Sequence, residues 1–278
     1  MKELIIGIFV VVVSWIFAWG DFGWISENSF LPLWLGFILV VNGISFVVFK
    51  RSIMRDMGVN FGWLFLISIP LWWLFEFLNS FVLNWFYIWN KPIGIHHFFV
   101  SATLDFATVV PAVMSVAYLF ANIVESKRWE FKWLKLNIGR YSLLLLGIAS
   151  FALVILVPSY AFPLVWLAPL FVLEYASRVL KLPSVSAEIK RGEWSSTVVL
   201  ALSSLFTGFW WEYWNYFSMP KWIYSVPFVD FWRIFEMPLI GYAGYLPFGI
   251  LIFSCSVVCL RFIDFYMKVD SNFKIFKI

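Results

Sequence analysis

Five acids stand inside or at the edge of strongly apolar runs: Glu76, Asp105, Glu174, Glu212 and Glu236. An ionised carboxylate in a bilayer costs several kcal/mol unless it is paired or wet, so acids in such places face the interior of a helix bundle and mark a site. Ser204, Gly208, Glu212 and Asn215 fall on one face of a helix, and Ser68, Trp72, Glu76 and Asn79 repeat the same spacing. Ser101, Asp105, Thr108 and Ser115 make a third polar stripe, below the adjacent His96 and His97. A carboxylic acid in an apolar setting can donate a proton to an alkene, and the faces of Trp and Tyr stabilise the cation that results. On this chemistry Glu212 and Glu236 are the expected acid and base, with Asn215 orienting one of them. Trp211, Trp222, Tyr224, Tyr242, Tyr245, Glu76, Asn79 and Asp105 are the expected binding surface. The reaction needs no metal, nucleotide or flavin, and no cofactor is expected.

The elements that must position these groups are membrane helices. The chain is 63% hydrophobic and only 13% charged, with a mean hydropathy of +0.88, far from the balance of a soluble domain. Apolar runs of bilayer-spanning length lie near 4–19, 31–49, 61–80, 97–123, 142–158, 162–180, 196–217 and 238–260. The expected fold is therefore all-α and polytopic, with about eight transmembrane helices. With the N-terminus on the cytoplasmic side, 17 of the 20 Lys and Arg fall on that side, leaving Lys91, Lys221 and Arg233 opposite. That bias orients a chain during insertion. It predicts an integral protein of a prokaryotic cell membrane with both termini cytoplasmic. Ala18-Trp19-Gly20 offers signal-cleavage spacing, but Lys2-Glu3 has no net positive charge, which favours a retained first helix.

The runs also repeat. Trp34 and Trp166 open the second and sixth spans at an offset of 132, and Glu76 and Asn79 recur as Glu212 and Asn215 at an offset of 136. A Trp-x-Tyr follows each pair, at Trp85-Phe86-Tyr87 and Trp222-Ile223-Tyr224, and Pro111 and Pro247 restore the 136 offset. Four spans per copy is an even number, so two tandem four-helix repeats would enter the membrane in parallel orientation. The expected division is 1–125 for the first repeat, 126–141 for a basic cytoplasmic linker, 142–266 for the second repeat and 267–278 for a cytoplasmic tail. Glu236-Met237-Pro238 has no acidic counterpart, since Val100 holds the matching place.

Several features have plainer readings. Cys255 and Cys259, one helical turn apart, suit packing rather than a staple or a metal cage. His96 and His97 point to different helix faces and have no third ligand at helical spacing, so no metal site is expected. Basic residues are scattered between apolar runs and do not form a nucleic-acid stripe. Most of the eighteen Trp suit the aromatic belt at a lipid surface. The loop from Ser218 to Arg233 carries too many aromatics to float in water, and should lie on the interface or fold over a cavity.

The order Trp211-Glu212, then Trp222-x-Tyr224, then Glu236-Met237-Pro238, then aromatics and Pro247 resembles the lycopene cyclase domain of small integral-membrane carotenoid cyclases. In that family a Pro-x-Glu-Glu element supplies the acid that protonates a polyene. The resemblance implies a repeated membrane fold, with Trp211-Glu212 matching the first acid and Glu236-Met237-Pro238 the second. Here a single glutamate precedes the proline. The Glu-Met-Pro-x-x-Gly-Tyr-x-Gly-Tyr-x-Pro-Phe ending is more closely similar to a group of bacterial membrane proteins, a likeness that implies no function.

Three functions stay open at this point. One is an enzyme that modifies an isoprenoid, carotenoid or other lipid. Another is a proton- or ion-coupled transporter using Glu76 and Glu212 between two halves. The last is a non-catalytic lipid-binding or assembly protein. The expected partner is a membrane lipid or isoprenoid, and nothing in the residues speaks to oligomeric state.

Overall fold

The computed structural model describes residues 1–124, 130 and 134–276. Lys127, Arg128, Lys132 and Lys277, and residues 126–129 and 131–133 of the linker expected at 126–141, lie outside the described residues. The chain is mostly helical, and the segments Lys2–Trp19, Phe30–Phe49, Ile53–Val82, Ile95–Val124 and Leu239–Met267 are long and apolar enough to cross a membrane.

The first half comprises α1 (Lys2–Trp19), α2 (Trp24–Glu27), α3 (Phe30–Phe49), α4 (Ile53–Met57), α5 (Gly62–Val82), α6 (Ile95–Phe106) and α7 (Val109–Val124). The second half comprises α8 (Arg140–Leu156), α9 (Pro158–Ala161), α10 (Leu164–Val179), α11 (Val185–Arg191), α12 (Ser195–Phe217) and α13 (Tyr245–Met267). Each of the eight apolar runs is thus helical. Three of them fall short of an unaided span: α8 has 17 residues, α10 has 16, and α12 carries Ser203, Ser204, Thr207, Glu212 and Asn215 among its buried residues.

Two boundaries differ from the sequence expectation, each for a physical reason. The run at 97–123 is broken between Phe106 and Val109. Pro111 has no N–H to give to the preceding turn, and Ser68 of α5 takes up the loosened backbone, donating to the Phe106 carbonyl and accepting from the Val110 N–H at 3.1 Å. The last helix starts at Tyr245 rather than 238, because Leu239–Gly244 winds as a 3-10 segment after Pro238. The segment expected as a cytoplasmic tail, 267–278, folds back on the bundle over its described residues. Ser271 caps the Asp264 carboxylate, Phe273 and Phe276 pack on Phe253, and Ile275 is buried.

Packing runs in matching pairs. α1 lies along α3 and α8 along α10; α3 meets α7 and α10 meets α13; α5 packs on α7 and α12 on α13. Across the middle, α1 leans on α12 while α8 leans on α5. Small residues let these backbones approach, as is usual where lipid gives helices no hydrophobic reason to associate. A Cβ built on Gly43 of α3 would lie 2.7 Å from Leu4 Cα of α1, and one on Gly249 of α13 would lie 2.1 Å from the Leu200 carbonyl oxygen of α12.

Short turns recur in the same way at the end of the bundle remote from the Trp-x-Tyr segments. Lys50 after α3 and Lys181 after α10 both take left-handed backbone; Ser52 and Ser184 then cap α4 and α11, each accepting from the N–H three residues on; Gly58 and Gly192 close them with positive φ. Asn42 of α3 accepts from the Met54 N–H and donates to Ser115 Oγ of α7. Glu174 of α10 accepts from Ser184 Oγ and the Ser186 N–H, and from Ser254 Oγ of α13. Asn42 and Glu174 therefore do the same task, tying a short helix to the bundle.

The glycine contacts give a direct test. Gly249→Ala should lower the thermal midpoint of the purified protein in detergent, with a loss of about 1–3 kcal/mol for forced overpacking. Gly62→Ala, at a position with nothing within 4 Å of the added carbon, should leave the midpoint unchanged.

Candidate functional site

At the opposite end of the bundle the two Trp-x-Tyr segments meet. β1 (Trp85–Ile88) and β2 (Lys221–Tyr224) pair antiparallel, with Trp85 opposite Tyr224 and Tyr87 opposite Trp222. A two-stranded ribbon is marginal by itself, and here one asparagine holds each strand from behind. Asn79 donates to the Trp85 carbonyl at 2.8 Å and accepts from the Asn84 and Trp85 N–H groups. Asn215 donates to the Trp222 carbonyl at 2.7 Å and accepts from the Trp222 N–H at 2.9 Å. Each amide brackets one tryptophan as a third strand would. Asn215 consequently does not orient a glutamate, contrary to the sequence expectation, because both ends of its amide are spent on the ribbon.

One turn earlier on each helix stands the glutamate. Glu76 Oε1 accepts from Trp72 Nε1, Trp85 Nε1 and the Tyr87 hydroxyl at 3.0, 3.1 and 2.7 Å. Glu212 Oε1 accepts from the Tyr224 hydroxyl at 2.7 Å and the Tyr245 hydroxyl at 2.8 Å, while Trp222 Nε1 donates to Tyr224 instead. Glu212 is fully buried and its Oε2 has no partner among the described residues. The two sites differ at two places: at the 136 offset Gly208 stands against Trp72, and Tyr245 against Val109. Trp72 stands one turn before Glu76, whereas Gly208 stands one turn before Glu212. A Cβ on Gly208 would lie 2.5 Å from the Tyr245 ring. The missing side chain clears the path by which Tyr245 of α13 reaches Glu212.

Beneath the ribbon lies a chamber of about 140 Å³ between the halves. Its walls are aromatic: Trp72, Trp85, Trp166, Trp211, Trp222, Tyr87, Tyr224, Tyr245 and Phe248 all line it. Trp211 stacks on Tyr245 with centroids 6.4 Å apart and planes at 18°, and Trp85 stacks on Trp166 at 6.1 Å and 20°. Its polar lining includes Ser26, Glu27, Ser29, Ser101, Asp105, Ser218 and Lys221. Glu27 Oε1 pairs with Lys91 at 2.8 Å, and its Oε2 is buried without a partner among the described residues. Lys221 pairs with Glu236 at 2.5 Å.

Of the residues expected to bind, Trp211, Trp222, Tyr224, Tyr245 and Asp105 are brought together here. Glu76 and Asn79 instead border a shallower, open cleft with Phe86, Ile93 and Ile95. Tyr242 is turned away, donating to the Ile234 carbonyl at 3.1 Å. Glu236 does not line the chamber. It sits beside the ribbon, tied to Lys221 and 3.9 Å from Arg233, while β3 (Arg233–Ile234) and β4 (Met237–Pro238) pair around it. Glu236 is thus held as a structural ion pair and not as a free base. The loop expected to cover a cavity does so through Ser218, Pro220, Lys221, Trp222 and Tyr224, whereas Phe228, Phe231 and Trp232 are exposed.

Trp72, Trp166 and Phe248 were not anticipated as chamber residues, nor was Glu27. Trp72 was legible, since it lies on the Ser68–Asn79 face; Glu27 sits in a short loop helix with no periodicity to announce it. No family model matches the chain, and neither a curated protein nor a solved structure matches it.

The latch can be tested in isolation. Asn215→Ala leaves the Trp222 N–H and carbonyl without their partner, a loss of about 1–3 kcal/mol for buried polar groups. Hydrogen exchange at Lys221–Tyr224 should accelerate by at least tenfold, and Asn79→Ala should do the same at Trp85–Ile88, while exchange in α7 and α13 stays as it was.

Proposed function

We propose that this chain is an integral membrane enzyme that admits one end of an isoprenoid or other lipid molecule to the aromatic chamber and acts on it by proton transfer. The observation that carries the reading is the chamber itself: ring faces from both halves enclose it, and two tyrosines in its wall hand their hydroxyls to a sealed glutamate. Its volume is close to that of a cavity that accepts a benzene ring. It therefore suits a head group or terminal isoprene unit, with the rest of the molecule left in the bilayer.

Glu212 has no direct access to the chamber, so a proton moving between it and a bound molecule passes through Tyr224 or Tyr245. Those hydroxyls are the catalytic contacts and Glu212 is the positioning group behind them. Glu236 drops out of the acid–base pair because Lys221 and Arg233 already hold it. Transport is less well supported. Glu174, the acid at the far end, has both oxygens taken by Ser254, Ser184 and Ser186 and does not border the chamber.

The architecture we propose with it is two tandem four-helix units in parallel orientation, 1–125 and 142–266, with both termini cytoplasmic. Four correspondences support the duplication: the two Asn latches, the two tyrosine-bound glutamates, the left-handed Lys then Ser cap then positive-φ Gly series, and the paired helix contacts. A ribbon formed between copies of one motif, with Trp opposite Tyr in both directions, is what a local two-fold axis through its centre would give.

Two measurements test this reading. Lipid mass spectrometry of cells producing the wild type should show a species that falls at least tenfold with Glu212→Gln or Tyr245→Phe, given the 10²–10⁴ typical of acid–base catalysis. An unchanged lipid and isoprenoid profile would leave a non-catalytic binding role in its place. In a background with Cys255 and Cys259 replaced by Ser, Lys91→Cys should react with an impermeant thiol reagent on intact cells, and Lys190→Cys only after permeabilisation.

A further inference from the structure

Asp105 is the acid that the chemistry above does not use. It is the eleventh residue of α6, about 15 Å along the helix from Ile95. That is roughly half the depth of a bilayer's apolar layer. Half-buried, Asp105 lines the chamber, and among the described residues the one hydrogen bond to it from a side chain, from Thr108 Oγ1, goes to its backbone carbonyl and not to its carboxylate. Every other charged group in the chamber wall already has an opposite charge: Glu27 has Lys91, and Lys221 has Glu236. The tyrosines are neutral donors engaged with glutamates. The chamber as built therefore carries one unmatched carboxyl group, in a wall that also contains Trp72, Phe106 and Trp211.

A carboxylate without a partner in a largely apolar wall is costly, and the same setting strengthens the attraction of a matching cation. Ring faces attract a cation of low hydration, and an ammonium with apolar substituents is the ligand that uses both features. Ring walls disfavour a small metal ion, which would need several oxygen ligands in place of its water. A neutral alcohol or hydrocarbon would leave Asp105 unmatched.

We propose that the chamber recognises an alkylammonium group, with Asp105 as its counter-ion and the Trp72, Trp211 and Tyr245 rings as its cage. This rests on the reading of the chamber as the place where one end of an amphiphile binds, and it names the class of that end. The group can be the head of a lipid or a free amine, and the two sources are separable by experiment.

The test uses the full chain in lipid nanodiscs and follows Trp fluorescence during titration with three ligands: dodecyltrimethylammonium, dodecanol and tetramethylammonium. Dodecyltrimethylammonium should bind at least tenfold more tightly than dodecanol. Asp105→Asn should bring the two to within twofold by weakening only the ammonium ligand, and Asp105→Glu should keep the preference. Binding of tetramethylammonium comparable to that of the long-chain ligand would assign a free amine; its failure to compete would assign an amphiphile's head group. Equal affinity for dodecanol and dodecyltrimethylammonium in the wild type, or a preference that survives in Asp105→Asn, would overturn the proposal while leaving the chamber as an apolar site. Failure of both long-chain ligands to perturb the fluorescence would instead overturn the chamber as a lipid site altogether.

Discussion

The bracketing of one tryptophan backbone by one asparagine side chain, made twice, is the interaction on which the functional end of this molecule depends. At the mouth of a membrane bundle the connecting chain leaves helical geometry, and its N–H and carbonyl groups need partners where water is scarce. Asn79 and Asn215 supply those partners from the last turn of α5 and α12. Because each is fixed to a helix, the bond sets not only that the strand is satisfied but where it lies. The strands then sit close enough to pair with each other, and the paired ribbon places Trp85, Tyr87, Trp222 and Tyr224 over the gap between the halves. Without the amides the ribbon is four residues a side with nothing behind it, below what sustains an isolated two-stranded sheet.

The two halves then differ where chemistry would need them to differ. In the first, Trp72 fills the place beside Glu76 and the acid borders an open cleft. In the second, Gly208 leaves that place empty and Tyr245 enters from α13, so that Glu212 is sealed and answers to two hydroxyls. Glu76 is half-buried beside an open cleft, whereas Glu212 is fully buried. Trp72, freed from any need to match a partner glycine, contributes its ring to the same chamber as Trp211, 6.0 Å away.

Much of this was legible in the chain. Periodicity and hydropathy place the helices because apolar length is a property of each run taken alone. The pairing of Glu-x-x-Asn with a downstream Trp-x-Tyr, which occurs twice in the chain, pointed to the segments that meet in the ribbon. What could not be read was which polar atom faces which. Asn215 and Glu236 look like partners of Glu212 in sequence, yet the Asn215 amide is consumed by a backbone seven residues on and Glu236 by a lysine fifteen residues back. Those choices depend on where an irregular loop folds, and loops carry no period. The break in the run at 97–123 was hidden for a related reason: the hydroxyl that makes it tolerable comes from Ser68 on another helix.

The unpaired polar atoms follow the same logic. A helix bundle in lipid gains little from polar contacts on average, about 0.6 kcal/mol each, and so has no reason to keep an acid that nothing answers. At the far end Glu174 is answered on both oxygens and reads as a fastener. At the ribbon end Glu27 and Glu212 each have one buried oxygen without a partner among the described residues, and the half-buried Asp105 lines the chamber. Glu27 and Asp105 line the chamber that both halves enclose with aromatic rings. Structural fastening accounts for the first kind of acid and not for the second. Buried hydroxyls without a partner occur at the far end too, at Ser177 and Thr197, but the unanswered carboxyl oxygens among the described residues, on Glu27 and Glu212, lie at the aromatic end, and that is the physical reason to place the work of this protein beneath the ribbon.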